Sequence, residues 1–170
     1  IAAGSDVFVS IHINSAGGNG AEVWVPNDSS WYGDLHDVGW DLGNKVLSKL
    51  VALGLADRGV KFDDYIENGG LFYPDGSPAD GFSVIRNSRK NGIPGIIVEH
   101  AFIDNAENAA FLQSDDNLKK LGMADAEGIA QQYGKSKKPY YLQGIDFSPD
   151  ASQGIGQPVL ISARVSGDTR

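Results

Sequence analysis

Two short apolar runs, each ending in polar residues, constrain the fold of this 170-residue chain more than any other feature. The first runs from Asp6 to Asn14 and the second from Gly95 to Asn105. A strand that is apolar at nearly every position is typical of the interior of a parallel sheet with helices on both faces. We therefore expect an α/β fold with a mostly parallel central sheet, and we expect both runs to lie inside that sheet.

The residues that close these two runs indicate where a ligand would bind. Open α/β sheets place their ligands beyond the carboxyl ends of the strands, where His12 and Glu99 are found. A neutral imidazole and a carboxylate that meet there suggest metal-assisted hydrolysis. Taken alone, His12 is also typical of a buried, hydrogen-bonded histidine, and Glu99 of a salt bridge to Arg58 or Arg86.

Other polar and aromatic residues near these runs have less specific patterns. Glu22 lies in a predicted strand, and we interpret it as a solvated side chain at the strand's edge, with a position near the metal as the alternative. His100 alternates to the face opposite Glu99, which favours a structural role. Asn14 follows the first strand, where it can fix the next loop. Residues 61–81 are predicted to form a loop with four aromatic residues, Phe62, Tyr65, Phe72 and Tyr73, whose rings either stack on sugar faces or pin the loop itself.

Three segments, in the same order along the chain, carry a family resemblance. Ser10–Asn14 reads SIHIN, Asp57–Lys61 contains RGVK, and Val98–Asn105 has a Glu followed by a small residue, an aromatic and an Asn. These segments resemble motifs of the zinc-dependent N-acetylmuramoyl-L-alanine amidases. The resemblance covers residues 1 to about 134 and implies an amidase, phosphorylase/hydrolase-like fold. It also implies cleavage of the amide between N-acetylmuramic acid and L-alanine in peptidoglycan.

The resemblance further implies a set of site residues. Zinc would have three protein ligands, of which only His12 carries over, because the family's other His and its Glu lie upstream of SIHxN. We expect this chain to lack those two ligands and to be inactive unless another segment restores the site. Glu99 would take the proton of the metal-bound water. The substrate-binding candidates are Asn14 and also Arg86, which could face an anionic group of a stem peptide.

Composition excludes several classes of partner. Asp and Glu total 22 against 14 Lys and Arg, which gives a formal net charge of −8 and argues against nucleic acid. No run approaches the roughly 18 apolar residues of a membrane helix. The absence of Cys excludes disulfides and thiolate metal sites. The resemblance implies a secreted bacterial cell-wall protein of the autolysin type, with further cell-wall-binding domains.

Periodicity and cap signals predict the remaining elements. Asn27–Ser30 offers helix caps ahead of an amphipathic stretch that ends at Gly54. Phe82–Arg86 is predicted as a strand. One helix is predicted to begin at Asn105 or its neighbour, and another to run from about residue 117 to 133.

A change of composition predicts a domain boundary near the end of the chain. Gly134–Pro139 is small, charged and closed by proline, which is typical of a linker. We therefore expect an amidase domain over residues 1–134, followed by a linker and the start of a second, all-β domain over residues 135–170. Pro158–Val165 alternates as a strand does and is the short C-terminal β segment of this prediction.

Two other functions are compatible with the same pattern. The chain could be a non-catalytic peptidoglycan-binding module that keeps the amidase scaffold without the metal. It could also be a related zinc peptidase or deacetylase that cleaves free peptides or acetyl groups.

Overall fold

The computed structural model describes residues 4–15, 17–64, 70–135, 141–148 and 160–166, the last two ranges by their backbone alone. The elements, in chain order, are β1 (Phe8–Asn14), β2 (Ala21–Trp24), α1 (Asp34–Val51), β3 (Asp57–Lys61), α2 (Ser83–Lys90), β4 (Gly95–Phe102), α3 (Ala106–Leu112), α4 (Asp115–Gln132), β5 (Tyr141–Ser148) and β6 (Leu160–Ser166). The chain divides into two units, residues 1–135 and 136–170. None of the helices in the described ranges has the length and apolar character of a membrane span.

The first unit is built on a mixed sheet with the strand order β1-β4-β2-β3. Two of its three strand pairs are parallel and the pair of β2 with β4 is antiparallel, which confirms the predicted mostly parallel α/β fold. The expectation that both apolar runs lie in the interior is wrong for the first. β1 is an edge strand of the described sheet, and Ile11 and Ile13 are 57% and 43% exposed. An apolar run indicates that its side chains can be buried, but it does not indicate whether the strand has a neighbouring strand on one side or on both.

Helices cover the sheet from both sides. α1 and α4 pack on each other over one face, where Leu42 and Val46 meet Ile96 and Val98 of β4 in a single apolar cluster. β4 is the most buried strand, with seven of its eight residues buried. α2 lies against the other face, at the start of β4. Gly95 permits that contact, because a Cβ there would lie 2.6 Å from Ser88.

Two local predictions are wrong. The segment predicted as the strand Phe82–Arg86 contains the start of α2, whose buried residues Ile85, Ser88 and Arg89 recur at the helical spacing of three and four. Asn27–Ser30 does not cap α1, whose N-cap is Gly33 with no side-chain cap bond. The helices at the end of the unit are confirmed, and the Asn105 side chain caps α3 by accepting from the backbone N–H of Glu107 and Asn108.

The second unit contains an antiparallel pair of strands. β5 pairs with β6 from Tyr141 opposite Ser166 to Ser148 opposite Leu160. β6 overlaps the strand predicted within Pro158–Val165, whereas β5 was not predicted. That these strands open a second, all-β domain stays a prediction.

Candidate active site

Three ionisable side chains lie side by side across the sheet of the first unit. His12 of β1 is the register partner of Glu99 of β4, and Glu22 of β2 is the partner of Glu99 on its other side. Residues directly opposite each other in neighbouring strands project from the same face. The imidazole and the two carboxylates therefore form one row on strands that are about 4.8 Å apart.

Glu99 occupies the middle of this row and has no hydrogen-bond partner among the described residues. Its Oε2 atom is buried and accepts no hydrogen bond from any described residue. Burial raises the pKa of Glu99, and the charge of Glu22 acts in the same direction, against the opposing charges of His12 and His100. Arg58, one of the two cations that the sequence offers for a salt bridge to Glu99, is bonded to Glu22 instead.

Glu22 differs from Glu99 in that its side chain is only 3% exposed and both of its carboxylate oxygens accept hydrogen bonds. Oε1 accepts from Asn14 Nδ2 at 3.2 Å and from Trp24 Nε1 at 3.1 Å. Oε2 accepts from Arg58 Nε at 2.8 Å and from Lys61 Nζ at 2.7 Å. Burial alone would raise the pKa of Glu22, but the bonds from Lys61 and Arg58 outweigh it and hold the pKa below its ordinary value. The interpretation of Glu22 as a solvated edge residue is wrong.

A bulge in β3 explains how two cations reach one carboxylate. Arg58 and Lys61 are three residues apart, so in a regular strand they would project from opposite faces. The pairing of β2 with β3 shifts by one residue between Ala21 and Val23, and Gly59 in this stretch has φ +85°. A glycine at positive φ is typical of a bulge, which leaves one residue out of the alternation. Both cations consequently point to Glu22.

The imidazole of His12 is exposed, and its one hydrogen-bond partner among the described residues is Ser10, whose Oγ lies 2.7 Å from Nε2. Among the described residues, no group of three or more His, Cys, Asp or Glu is close enough to hold a metal ion. His12 offers one ligand, and Glu99 is the only acid in the row that still has an unpartnered oxygen. The described residues therefore do not form the three-ligand zinc site that the resemblance implies.

The two predicted substrate-binding residues have different surroundings. Asn14 donates to Glu22, and its Oδ1 accepts from the backbone N–H of Ser15 at 2.7 Å, so it fixes the loop after β1. Arg86 lies on α2 and donates to the backbone carbonyls of Asp80 and Gly81. The structure thus brings Asn14 beside the row of ionisable side chains, and it places Arg86 at the loop before α2.

His100 lies on the face opposite Glu99, as its alternation in β4 predicts. Its Nε2 is 2.8 Å from Asp125 Oδ2 of α4, and both side chains are buried. The pair fastens the α4 layer to the sheet and lies apart from the row that contains Glu99.

A second polar network holds the loop that precedes α2. Arg89 is fully buried, and its guanidinium donates hydrogen bonds to the side-chain oxygen and the backbone carbonyl of Asn27. The same guanidinium forms an ion pair with Asp80 at 3.5 Å. Tyr73 donates to Asp80 and stacks on Trp31. Burial raises the pKa of Tyr73, and its bond to Asp80 adds to the rise. Of the predicted loop aromatics, Tyr73 therefore pins the loop.

The other predicted loop aromatics are not in that network. Phe62 and Phe72 are exposed at 38% and 60%. Tyr65 lies outside the described residues.

Sequence reasoning missed the importance of Glu22 and of its two cations. The available signal is a carboxylate within the run Ala21–Val25, because an acid in a buried strand must be paired. The segment Arg58–Lys61 supplies the matching charges two elements later.

Comparison with known sequences extends these observations. A family model described as N-acetylmuramoyl-L-alanine amidase matches residues 1–131. The chain is 33% identical over 141 residues to the endolysin of Bacillus phage SPP1, which covers 81% of this chain and 44% of that protein. It is 27% identical over 135 residues to the sporulation-specific N-acetylmuramoyl-L-alanine amidase of Bacillus subtilis strain 168, covering 79% and 43%. The chain therefore spans less than half the length of these curated relatives.

Solved structures show the same fold. Cwp6 from Clostridium difficile superposes with a TM-score of 0.57 at 26% identity, covering 75% of this chain and 18% of that chain. The catalytic domain of CwlV, an N-acetylmuramoyl-L-alanine amidase from Bacillus (Paenibacillus) polymyxa var. colistinus, gives a TM-score of 0.54 at 24% identity, covering 78% and 60%. Since the family model spans nearly all of the first unit, this chain belongs to the N-acetylmuramoyl-L-alanine amidase family.

Proposed function

We propose that this protein hydrolyses the amide bond between N-acetylmuramic acid and L-alanine in peptidoglycan, with Glu99 as the general base. Family membership supports the reaction. The observation that carries the role of Glu99 is its unpartnered oxygen, on the same face as His12. A carboxylate that no donor occupies can accept a proton from water, provided that the water lies within hydrogen-bond reach.

In the proposed mechanism, Glu99 removes a proton from the attacking water as the water oxygen bonds to the lactyl carbonyl carbon. Glu99 then returns the proton to the amine nitrogen of L-alanine as the carbon–nitrogen bond breaks. The raised pKa of Glu99 suits the first step, because a carboxylate with a higher pKa is a stronger base towards water. The second step follows because the leaving amine is more basic than an ordinary carboxylate and takes the proton. Glu22 cannot replace it, since four donors already occupy its oxygens.

We propose that the activity depends on zinc and that His12 is one zinc ligand. When bound at such a site, zinc polarises a carbonyl and lowers the pKa of water. The described residues supply too few ligands for tight binding, so the remaining ligands of the proposed site would come from residues outside the described ranges.

We also propose that the protein acts on the bacterial cell wall after secretion, as an autolysin-type hydrolase. Its relatives include a phage endolysin and a sporulation-specific amidase, which supports the cell wall as the site of action. The prediction of further cell-wall-binding domains rests on the sequence resemblance and on the length of those relatives beyond the matched part.

The proposal is tested by assaying the release of the stem-peptide amino group from purified peptidoglycan with zinc present. Because Glu99→Gln keeps the shape of the side chain but cannot accept the proton, it should reduce turnover by about 10²–10⁴-fold. Glu107→Gln, on the exposed start of α3, is the matched control and should keep full activity. Turnover that survives Glu99→Gln would contradict the role assigned to Glu99.

One observation favours a second function, a non-catalytic peptidoglycan-binding module. The described residues contain no cluster of three metal ligands, which a catalytic zinc site needs. A module of this kind would bind peptidoglycan equally well with and without a chelator and would release no amino groups at any zinc concentration. Sedimentation with insoluble peptidoglycan, run beside the cleavage assay, separates the two functions.

A further inference from the structure

Arg58 and Lys61 carry more hydrogen-bond donors than Glu22 uses. A guanidinium has five N–H donors and an ammonium has three, yet each side chain makes one hydrogen bond with the described residues. The side chains are 35% and 32% exposed, so their unused donors can reach a ligand. The Nη groups of Arg58 make no hydrogen bond with the described residues, and their planar geometry suits a carboxylate.

Aromatic rings hold both cations in place. The guanidinium carbon of Arg58 lies 4.7 Å from the centre of the Phe102 ring, and Lys61 Nζ lies 5.5 Å from that of Trp24. Together with the bonds to Glu22, these contacts limit the freedom that long cationic side chains ordinarily have on a surface. Binding of a ligand here therefore costs less free energy than at mobile side chains, because Arg58 and Lys61 are already ordered.

Arg58 and Lys61 balance the carboxylates beside them, although the chain is strongly acidic. The two cations offset Glu22 and its neighbour Glu99, whereas the chain as a whole carries −8. Because a single cation is enough to neutralise Glu22, the second favours the approach of an anion to these exposed side chains.

The cations lie at a suitable distance from Glu99. Glu22 is the direct neighbour of Glu99 across the sheet, and Arg58 and Lys61 bind its carboxylate from the next strand. Two strand spacings amount to about 10 Å, and the cationic side chains reach back over part of that distance. An extended dipeptide spans about 7 Å, so a substrate can place one group at Glu99 and an anionic group two residues away at the cations.

We propose that Arg58 and Lys61 form an anion subsite that binds a carboxylate of the peptide portion of the substrate. The subsite makes the protein prefer muramyl peptides whose second amino acid carries a free carboxylate. This inference rests on the proposed function, because it takes Glu99 as the place where the first amide is bound. It assigns to the two cations a specificity role beyond their structural bond to Glu22.

The test compares two synthetic muramyl dipeptides that differ in one group. One has a free α-carboxylate on its second residue, and in the other that carboxylate is a carboxamide. Calorimetry with the unmodified chain should show about tenfold tighter binding of the carboxylate form, and the preference should shrink at high salt. Equal affinity for the two compounds, or no binding of either, would overturn the subsite. This comparison needs no variant, so it does not depend on whether a variant folds.

Variants then assign the preference to the two side chains. Arg58→Gln and Lys61→Gln should each weaken binding of the carboxylate form several-fold while changing that of the carboxamide form little. Lys119→Gln, on an exposed part of α4, removes the same charge elsewhere and should leave the preference intact. Arg58→Lys should restore part of it. A preference that persists in both glutamine variants would place the anion elsewhere and overturn the assignment.

The cleavage assay keeps this inference separate from the proposed function. If the protein releases stem peptides but binds both dipeptides equally, the subsite fails and the amidase proposal stands. If it prefers the carboxylate form but cleaves neither, the subsite is supported and the catalytic proposal fails.

Discussion

Glu22 and Glu99 are neighbouring carboxylates on the same face of one sheet, yet their environments differ in every respect that controls a proton. Glu22 is almost fully buried and accepts four hydrogen bonds, two of them from cations. Glu99 is half-buried and accepts none from the described residues, and one of its oxygens is buried without a partner. The pKa of Glu22 is lowered and that of Glu99 is raised.

The difference shows how the sheet separates two roles for the same side chain. A carboxylate saturated with donors is fixed in place and fixed in charge, so it serves as an anchor for the strands around it. A carboxylate without donors costs stability, because its charge is poorly solvated, but it remains free to accept a proton. Pairs of acids whose pKa values are pushed apart are typical of acid–base sites.

Removing the anchor should give the largest effect. Glu22→Ala leaves the donors of Trp24 and Asn14 without an acceptor and two cations without their counter-charge, so we expect a loss of about 3 kcal/mol in the free energy of unfolding. Urea denaturation at neutral pH measures it. Glu107→Ala, an exposed acid, should change stability by less than about 0.5 kcal/mol. A loss as small as that of the control would mean that the Glu22 bonds contribute little.

The two carboxylates should also respond to acid with opposite sign. Because the folded-state pKa of Glu22 lies below its ordinary value of 4.5, its stabilisation is present above pH 4.5 and is lost as pH falls through the lowered pKa. The raised pKa of Glu99 means that its cost is absent below pH 4.5 and appears as pH rises through the raised value.

Unfolding at a series of pH values tests this comparison. The deficit of Glu22→Gln relative to the wild type should shrink as pH falls below 4.5. The gain of Glu99→Gln should shrink over a higher range of pH, ending near 4.5. A Glu22→Gln deficit that stays constant down to pH 2 would show that the ionisation of Glu22 does not contribute to stability.

The unpaired carboxylate of Glu99 should lower the stability of the fold at neutral pH. Glu99→Gln removes a poorly solvated charge and should raise the free energy of unfolding by about 1 kcal/mol although it lowers turnover. Thermal and urea denaturation would measure the gain. A loss of stability in Glu99→Gln would mean that Glu99 has a stabilising partner outside the described residues.

An effect of similar size and opposite sign should come from the bulge that brings the cations to Glu22. A side chain at Gly59 meets no neighbouring atom, so the cost of Gly59→Ala arises from its φ of +85° and should be about 1 kcal/mol. Gly122→Ala, within α4 and also free of contacts, should instead stabilise by up to about 1 kcal/mol. Equal effects of the two substitutions would argue against a strained backbone at Gly59.

Sequence predicts the parts of this molecule that depend on local pattern. The two apolar runs locate β1 and β4, and the cap signal of Asn105 locates α3. The prediction that His12 and Glu99 close their strands is wrong, because β1 continues to Asn14 and β4 to Phe102. The roles of these site residues stay predictions.

What sequence did not predict depends on residues far apart in the chain. From the sequence, Glu22 resembles a surface acid, because nothing local indicates that Arg58 and Lys61 face it. The two cations face Glu22 only because the backbone at Gly59 forms a bulge. Asn27 looks like a helix cap because its fully buried partner Arg89 is 62 residues away.

The Gly59 bulge also explains why residue spacing is a poor guide to chemistry in β3. Without Gly59 the strand would read Arg-Val-Lys, and its regular alternation would pair Arg58 with Glu22 and Lys61 with Trp24, on the same face as now. Two motifs of different length can therefore present one and the same pair of charges. A search for distant relatives that demands the four-letter spacing would miss chains that lack the glycine yet keep the cations in place.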